Sequence, residues 1–134
     1  MKTLDAILEK ETEDHLGQKV PYTVPISAYP TDSGILIVNS PGSGELKDGR
    51  HDRWMKLARH LQERRLGSLV TYNAPRPDWE VQLPWEAYSH KGVSSNQLLI
   101  DSLAQVVAFS LERATELCGT SSPTLYLSGF SSGG

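Results

Sequence analysis

The chain has 134 residues, of which 38% are hydrophobic and 22% charged, with a formal net charge of −3. That length suits one domain around a single core, and the composition excludes the disordered and membrane classes. The mild acidity excludes a broad nucleic-acid footprint, which needs clustered positive charge.

In chain order, Met1 to Asp14 is charge-rich and lacks the apolar stretch of a signal peptide, so the expected location is the cytoplasm. Leu4, Ile7 and Leu8 share one side of a short helical pattern, and Gly17 closes it. Residues 1–17 are therefore expected to form an N-terminal helical extension. Val20 to Tyr29 alternates with period two, placing Tyr22, Val24, Ile26 and Ala28 on one face of a strand. Pro21, Pro25 and Pro30 donate no ladder hydrogen bonds, so this strand is expected at or near a sheet edge. Ile35 to Val38 is a continuous β-branched-rich run, the mark of a strand buried on both faces. The loop Asn39-Ser40-Pro41-Gly42-Ser43-Gly44 ends it.

A helix is expected from about His51 to Leu66, with Trp54, Leu57, Ala58 and Leu61 as its buried stripe and Gly67 as its stop. Its basic stretch, Arg59 to Arg65, also holds Glu63 and reads as a solvated face. Leu69 and Val70 begin a second buried strand, ended by Asn73 and Pro75. Pro75 to Val93 is a long irregular connection carrying Trp79, Trp85, Tyr88 and His90. It reads either as a substrate wall or as a satellite cluster packed over a helix end. Ser94 and Gln97 have capping-box spacing ahead of a long helix through Leu99, Leu103, Val106, Val107, Ser110, Leu111, Ala114 and Leu117. Cys118, the single cysteine, rules out an intrachain disulfide, fits a reducing compartment and reads as a quiet, partly buried thiol. Thr124 to Leu127 is expected to be a third buried strand. Strands alternating with helices give the α/β class, with a mostly parallel sheet covered by helices on both faces.

The last strand runs into Gly129-Phe130-Ser131-Ser132-Gly133, of the form Gly-x-Ser-x-Gly. The physics of this pattern is a sharp strand-to-helix turn that holds a serine strained and exposed at the carboxyl edge of a sheet. From about Val20 to Gly134 the chain resembles the first half of an α/β-hydrolase, ending at the nucleophile turn, so residues 1–134 read as one incomplete domain of a truncated three-layer sandwich. Val20–Tyr29 and Ile35–Val38 would match the antiparallel hairpin that opens that family's sheet. The resemblance implies a serine hydrolase acting on ester or related acyl bonds through an acyl-enzyme. By position Ser131 would be the nucleophile, and the backbone N–H of Ser132 would supply one oxyanion donor.

The second donor would come from Asn39 to Gly44. The family often has His-Gly there, whereas this chain has Asn39-Ser40, and Pro41 has no N–H. Gly42, or else Ser40, would have to donate. The family's acid and histidine follow the nucleophile in chain order. A serine without an adjacent base is a poor nucleophile, so residues 1–134 alone are expected to be almost inert. Of His15, His51, His60 and His90, only His90 is expected near the serine's edge, and none is expected to act as the base. No His, Cys or carboxylate set has metal-ligand spacing, so neither metal nor cofactor is expected. The expected partner is a small-molecule acyl substrate, with no nucleic acid and no membrane, and self-association or a complementing C-terminal chain would cover the open half-sheet. Two alternatives accompany this reading. One is a non-catalytic interaction module or pseudo-enzyme fragment. The other is a Rossmann-like nucleotide-binding module, although the Gly-x-Gly-x-x-Gly spacing is absent.

Overall fold

Leu4, Ala6 and Leu8 turn inward while Asp5, Ile7 and Glu9 face solvent. The computed structural model describes residues 2–40, 46–74 and 95–129. In it this stretch is strand β1 (Leu4–Glu13). The expected N-terminal helix over residues 1–17 is thus corrected. A helical stripe needs Ile7 inside, but Ile7 is 65% exposed, and the period-two set Leu4, Ala6, Leu8 wins. Asp14 Oδ1 accepts the backbone N–H groups of Leu16 and Gln18, each at 2.9 Å, and folds the chain into β2 (Lys19–Tyr29).

The remaining elements are β3 (Ile35–Ser40), α1 (Arg53–Glu63), β4 (Ser68–Tyr72), α2 (Ser95–Glu112), α3 (Ala114–Cys118) and β5 (Thr124–Gly129). The five-stranded sheet has the order β1-β2-β4-β3-β5. β1 with β2 and β2 with β4 pair antiparallel, whereas β3 with β4 and β3 with β5 pair parallel. The mostly parallel, hydrolase-like three-layer sandwich expected from the sequence is corrected accordingly: the described chain is a small mixed sheet with three α-helices. The cause is β1, which joins the sheet as a strand and leaves β2 antiparallel to both its neighbours.

β2 lies near an edge of the sheet, between the edge strand β1 and β4. The prolines fit because β4 pairs only with Ile26 to Tyr29. The carbonyl of Pro25 accepts the N–H of Asn73 at 2.9 Å, so its main-chain groups face the β4 side. Pro21, four residues away, faces the same side beyond the end of β4, where no ladder partner is lost.

On one face, Val24, Ile26, Leu36, Val38, Val70 and Tyr72 pack beneath α2 and α3. Leu98, Ser102, Val106 and Ser110 are fully buried on α2. The two serine hydroxyls are satisfied within the helix, donating to the carbonyls of Leu98 at 2.6 Å and Val106 at 2.7 Å. On the other face, Tyr29, Ile37 and Leu69 meet Trp54, Met55, Ala58 and Leu61 of α1. β5 was expected to be buried and is corrected: it is an edge strand, with Tyr126 and Leu127 both more than half exposed. Its continuous apolar run reads like an interior strand, but among the described residues it has a neighbour on one side only. No helix among the described residues is long and apolar enough to cross a membrane.

Candidate functional site

The parallel strands β4, β3 and β5 bring their carboxyl ends to one edge of the sheet. β3 lies between the other two, so the chain leaves it toward β4 and later returns on its opposite side as β5. Such a reversal of strand order is where open sheets of this kind bind ligands, outside the carboxyl ends.

Side chains at this edge are polar and arranged by register. Asn39 pairs with Thr71 on one side and Ser128 on the other, and Thr71 pairs with Ser27, which pairs with Asp5. One row of polar residues therefore crosses all five strands, on the face that carries α1. The Ser27 hydroxyl donates to Asp5 Oδ1 at 2.6 Å, and the Ser128 hydroxyl donates to Asn39 Oδ1 at 2.9 Å. Between these two bonds the row is incomplete. Asn39 Nδ2 and Thr71 Oγ1 are buried and have no hydrogen-bond partner among the described residues. Leaving such a group unsatisfied costs about 1–3 kcal/mol.

One position further along, the hydroxyls of Tyr72 and Ser40 lie 3.1 Å apart. Burial pushes the Tyr72 phenol above its ordinary value of 10.0, and the Ser40 contact only partly offsets this. Asn73 braces the same edge: its Oδ1 accepts the N–H of Lys47 at 2.7 Å.

The Gly-x-Ser-x-Gly motif begins here. Gly129, the last residue of β5, pairs in register with Ser40, the last residue of β3. Strands β3 and β5, which precede Gly42 and Ser131 in the sequence, thus end at one level of the sheet. Gly42, Ser131 and Ser132 lie outside the described residues, as do Pro41, Ser94, His90 and the aromatic connection with Trp79, Trp85 and Tyr88. His15, His51 and His60 are all exposed. Among the described residues no group of three His, Cys, Asp or Glu side chains is placed to hold a metal ion.

Sequence reasoning missed Thr71, Tyr72 and Ser128 and treated Asn39 only as the start of a loop. No local motif marks them, since strand register alone brings them together. Two clefts that share Lys2, Pro30 and Gln62 lie at the opposite, amino edge, near the turn that precedes β3. They lie at the end of the sheet opposite Gly129. No family model matches the chain, and no curated protein matches it.

Proposed function

We propose that the protein is a serine acyl hydrolase, of the family its Gly-x-Ser-x-Gly turn resembles, with Ser131 as nucleophile and a small ester or related acyl compound as substrate. The observation that carries this reading is the register of Gly129 with Ser40. It supports a shared edge for the nucleophile segment and for the loop that would donate to the oxyanion. In this reaction Ser131 Oγ attacks the acyl carbon, and a histidine takes the serine proton. The carbonyl electrons collect on an oxygen held by backbone N–H groups, those of Ser132 and of Gly42 or Ser40. Collapse expels the alcohol, protonated by the histidine, and water then releases the acyl group. In the family it resembles the histidine and acid follow the nucleophile in chain order, and a cytoplasmic setting accords with the buried free thiol of Cys118.

The test is fluorophosphonate labelling of the natural polypeptide that contains residues 1–134, with the adduct located by mass spectrometry. A single adduct on Ser131, absent from Ser131→Ala, is expected. An unlabelled natural polypeptide would overturn the proposal.

A second reading, a non-catalytic interaction module, is favoured by the exposed Tyr126 and Leu127 on the open edge of β5. It predicts no labelling, together with self-association that Tyr126→Lys abolishes in sedimentation.

A further inference from the structure

We infer that the open side of β1 docks an extended partner segment that carries lysine or arginine on one face and apolar residues on the other. This role is independent of the hydrolase reading. β1 pairs with β2 along its whole length, and among the described residues nothing pairs with its other side. The register fixes which main-chain groups stay open. The carbonyl of Pro25 accepts from Asn73, so the odd-numbered residues of β2 turn their N–H and C=O groups toward β4 and the even-numbered ones toward β1. Val24 stands against Leu8 and Ile26 against Ala6, so the even-numbered residues of β1 bond to β2. Asp5, Ile7, Glu9, Glu11 and Glu13 are left with their main-chain groups facing outward.

Sheet edges are ordinarily blunted by shortness, proline, a bulge or lysine. β1 has 10 residues and no proline, and its register with β2 runs without a bulge from Leu4 against Ala28 to Glu13 against Lys19. Its side chains define the occupant. The residues with open main-chain groups share one face, and all but Ile7 are exposed carboxylates. Asp5 takes the Ser27 hydroxyl, and Glu11 meets the Lys19 ammonium at 3.6 Å; both of these partners belong to β2. A second copy fits poorly. β1 laid antiparallel on itself about Glu9 sets Glu9 against Glu9 and Asp5 against Glu13, and centring it on Ile7 sets Asp5 against Glu9. Like charges directly opposite one another repel, whereas a basic strand makes each of these pairs attractive. β5 has no charged residue to offer in their place. Ile7, 65% exposed, suits an apolar neighbour within the basic face. On the other face Leu4, Ala6 and Leu8 are half-buried against the core, so alternate apolar residues of the incoming strand would extend it.

The test uses the natural polypeptide and a fluorescent probe peptide designed to lie antiparallel along β1. The peptide has lysine opposite Asp5, Glu9, Glu11 and Glu13, valine opposite Leu4, Ala6, Ile7 and Leu8, glutamate opposite Lys10, and threonine opposite Thr12. Binding is read by anisotropy and by amide exchange. Saturable binding is expected, with exchange slowed at the amides of Asp5, Ile7, Glu9, Glu11 and Glu13 but not at the even-numbered ones, which β2 already holds. Glu9→Lys combined with Glu11→Lys, both exposed positions, should weaken Kd by about tenfold or more. Methylating the peptide nitrogens that face β1 should abolish binding, and this change cannot disturb the fold of the protein. The inference is overturned by absence of binding, by an unchanged Kd in the lysine variant or with the methylated peptide, or by protection at Thr124–Gly129 instead. Self-association that slows the same odd-numbered amides without peptide overturns it too, since the occupant would then be a second copy. Fluorophosphonate labelling tests the hydrolase reading separately, so either can fail alone.

Discussion

The two edges of the sheet bond their polar groups differently, although each holds a buried atom without a partner among the described residues, Gln62 Oε1 at the amino edge and Asn39 Nδ2 and Thr71 Oγ1 at the carboxyl edge. At the amino edge, the Ser68 hydroxyl donates to the Leu117 carbonyl at 2.6 Å and accepts from the N–H and hydroxyl of Thr31 at 2.9 and 2.8 Å. Gly34 donates to the carbonyl of Cys118 at 2.8 Å, and its own carbonyl takes the N–H of Thr124 at 3.0 Å. The starts of β3, β4 and β5 are thereby tied to the end of α3. At the carboxyl edge the same three strands end among Asn39, Thr71, Tyr72 and Ser128, with two buried polar atoms lacking a partner among the described residues. An unsatisfied group lowers stability and leaves bonding capacity in reserve, which suits a region that handles substrate. The amino edge therefore secures the fold, and the carboxyl edge is where chemistry is proposed.

This contrast can be broken by substitution. Ser68→Ala at the amino edge removes three bonds at a residue 1% exposed. It should cost about 2–3 kcal/mol in urea unfolding while leaving labelling of Ser131 unchanged. Gly119 caps α3 with φ of 84°, and a Cβ there would come within 3.3 Å of the Asp32 backbone. Gly119→Ala should cost about 1–2 kcal/mol by the same measurement. At the carboxyl edge the sign reverses. Thr71→Val removes a buried hydroxyl that lacks a partner among the described residues and keeps the shape, so it should stabilise by about 1 kcal/mol. A loss of similar size would show that Thr71 is satisfied after all and would erase the contrast.

The smallest effect concerns pH. Burial raises the Tyr72 phenol above 10.0, so in alkali the unfolded state gives up this proton first. The associated stability is fully present below pH 10 and falls as pH rises through the folded-state value. Tyr72→Phe should flatten that alkaline decline without abolishing it, because Tyr22 and Tyr29 are raised by burial as well. Unfolding midpoints in wild type and variant across pH 9 to 11 would show it.

How much of this was legible beforehand depended on the signal each segment carries. β3 and β4 are short apolar runs between turn residues and were readable as buried strands. α1 and α2 were readable from three-and-four spacing, although their buried stripes are shifted. Leu57 and Leu111 are substantially exposed, and Ser102 and Ser110 lie inside because a serine can bond to its own helix. β1 was misread because its charged residues obscure a short alternation. β2 was readable as a strand near an edge, and it stands one strand in because a proline excludes a ladder partner only on the side its main chain faces. The candidate site was half legible: Gly129 to Gly133 declares itself as a motif, whereas Asn39 and Ser128 stand 89 residues apart and meet only through strand register.

The most direct measurement of the division between edges is amide exchange on the natural polypeptide, with and without a fluorophosphonate. Slowed exchange confined to residues 39–40, 72–73 and 128–129, with the amino edge unchanged, is the predicted result. Protection centred instead on Thr31, Gln62 and Gly119 would contradict the account, because it would place the reactive site at the edge assigned here to holding the fold.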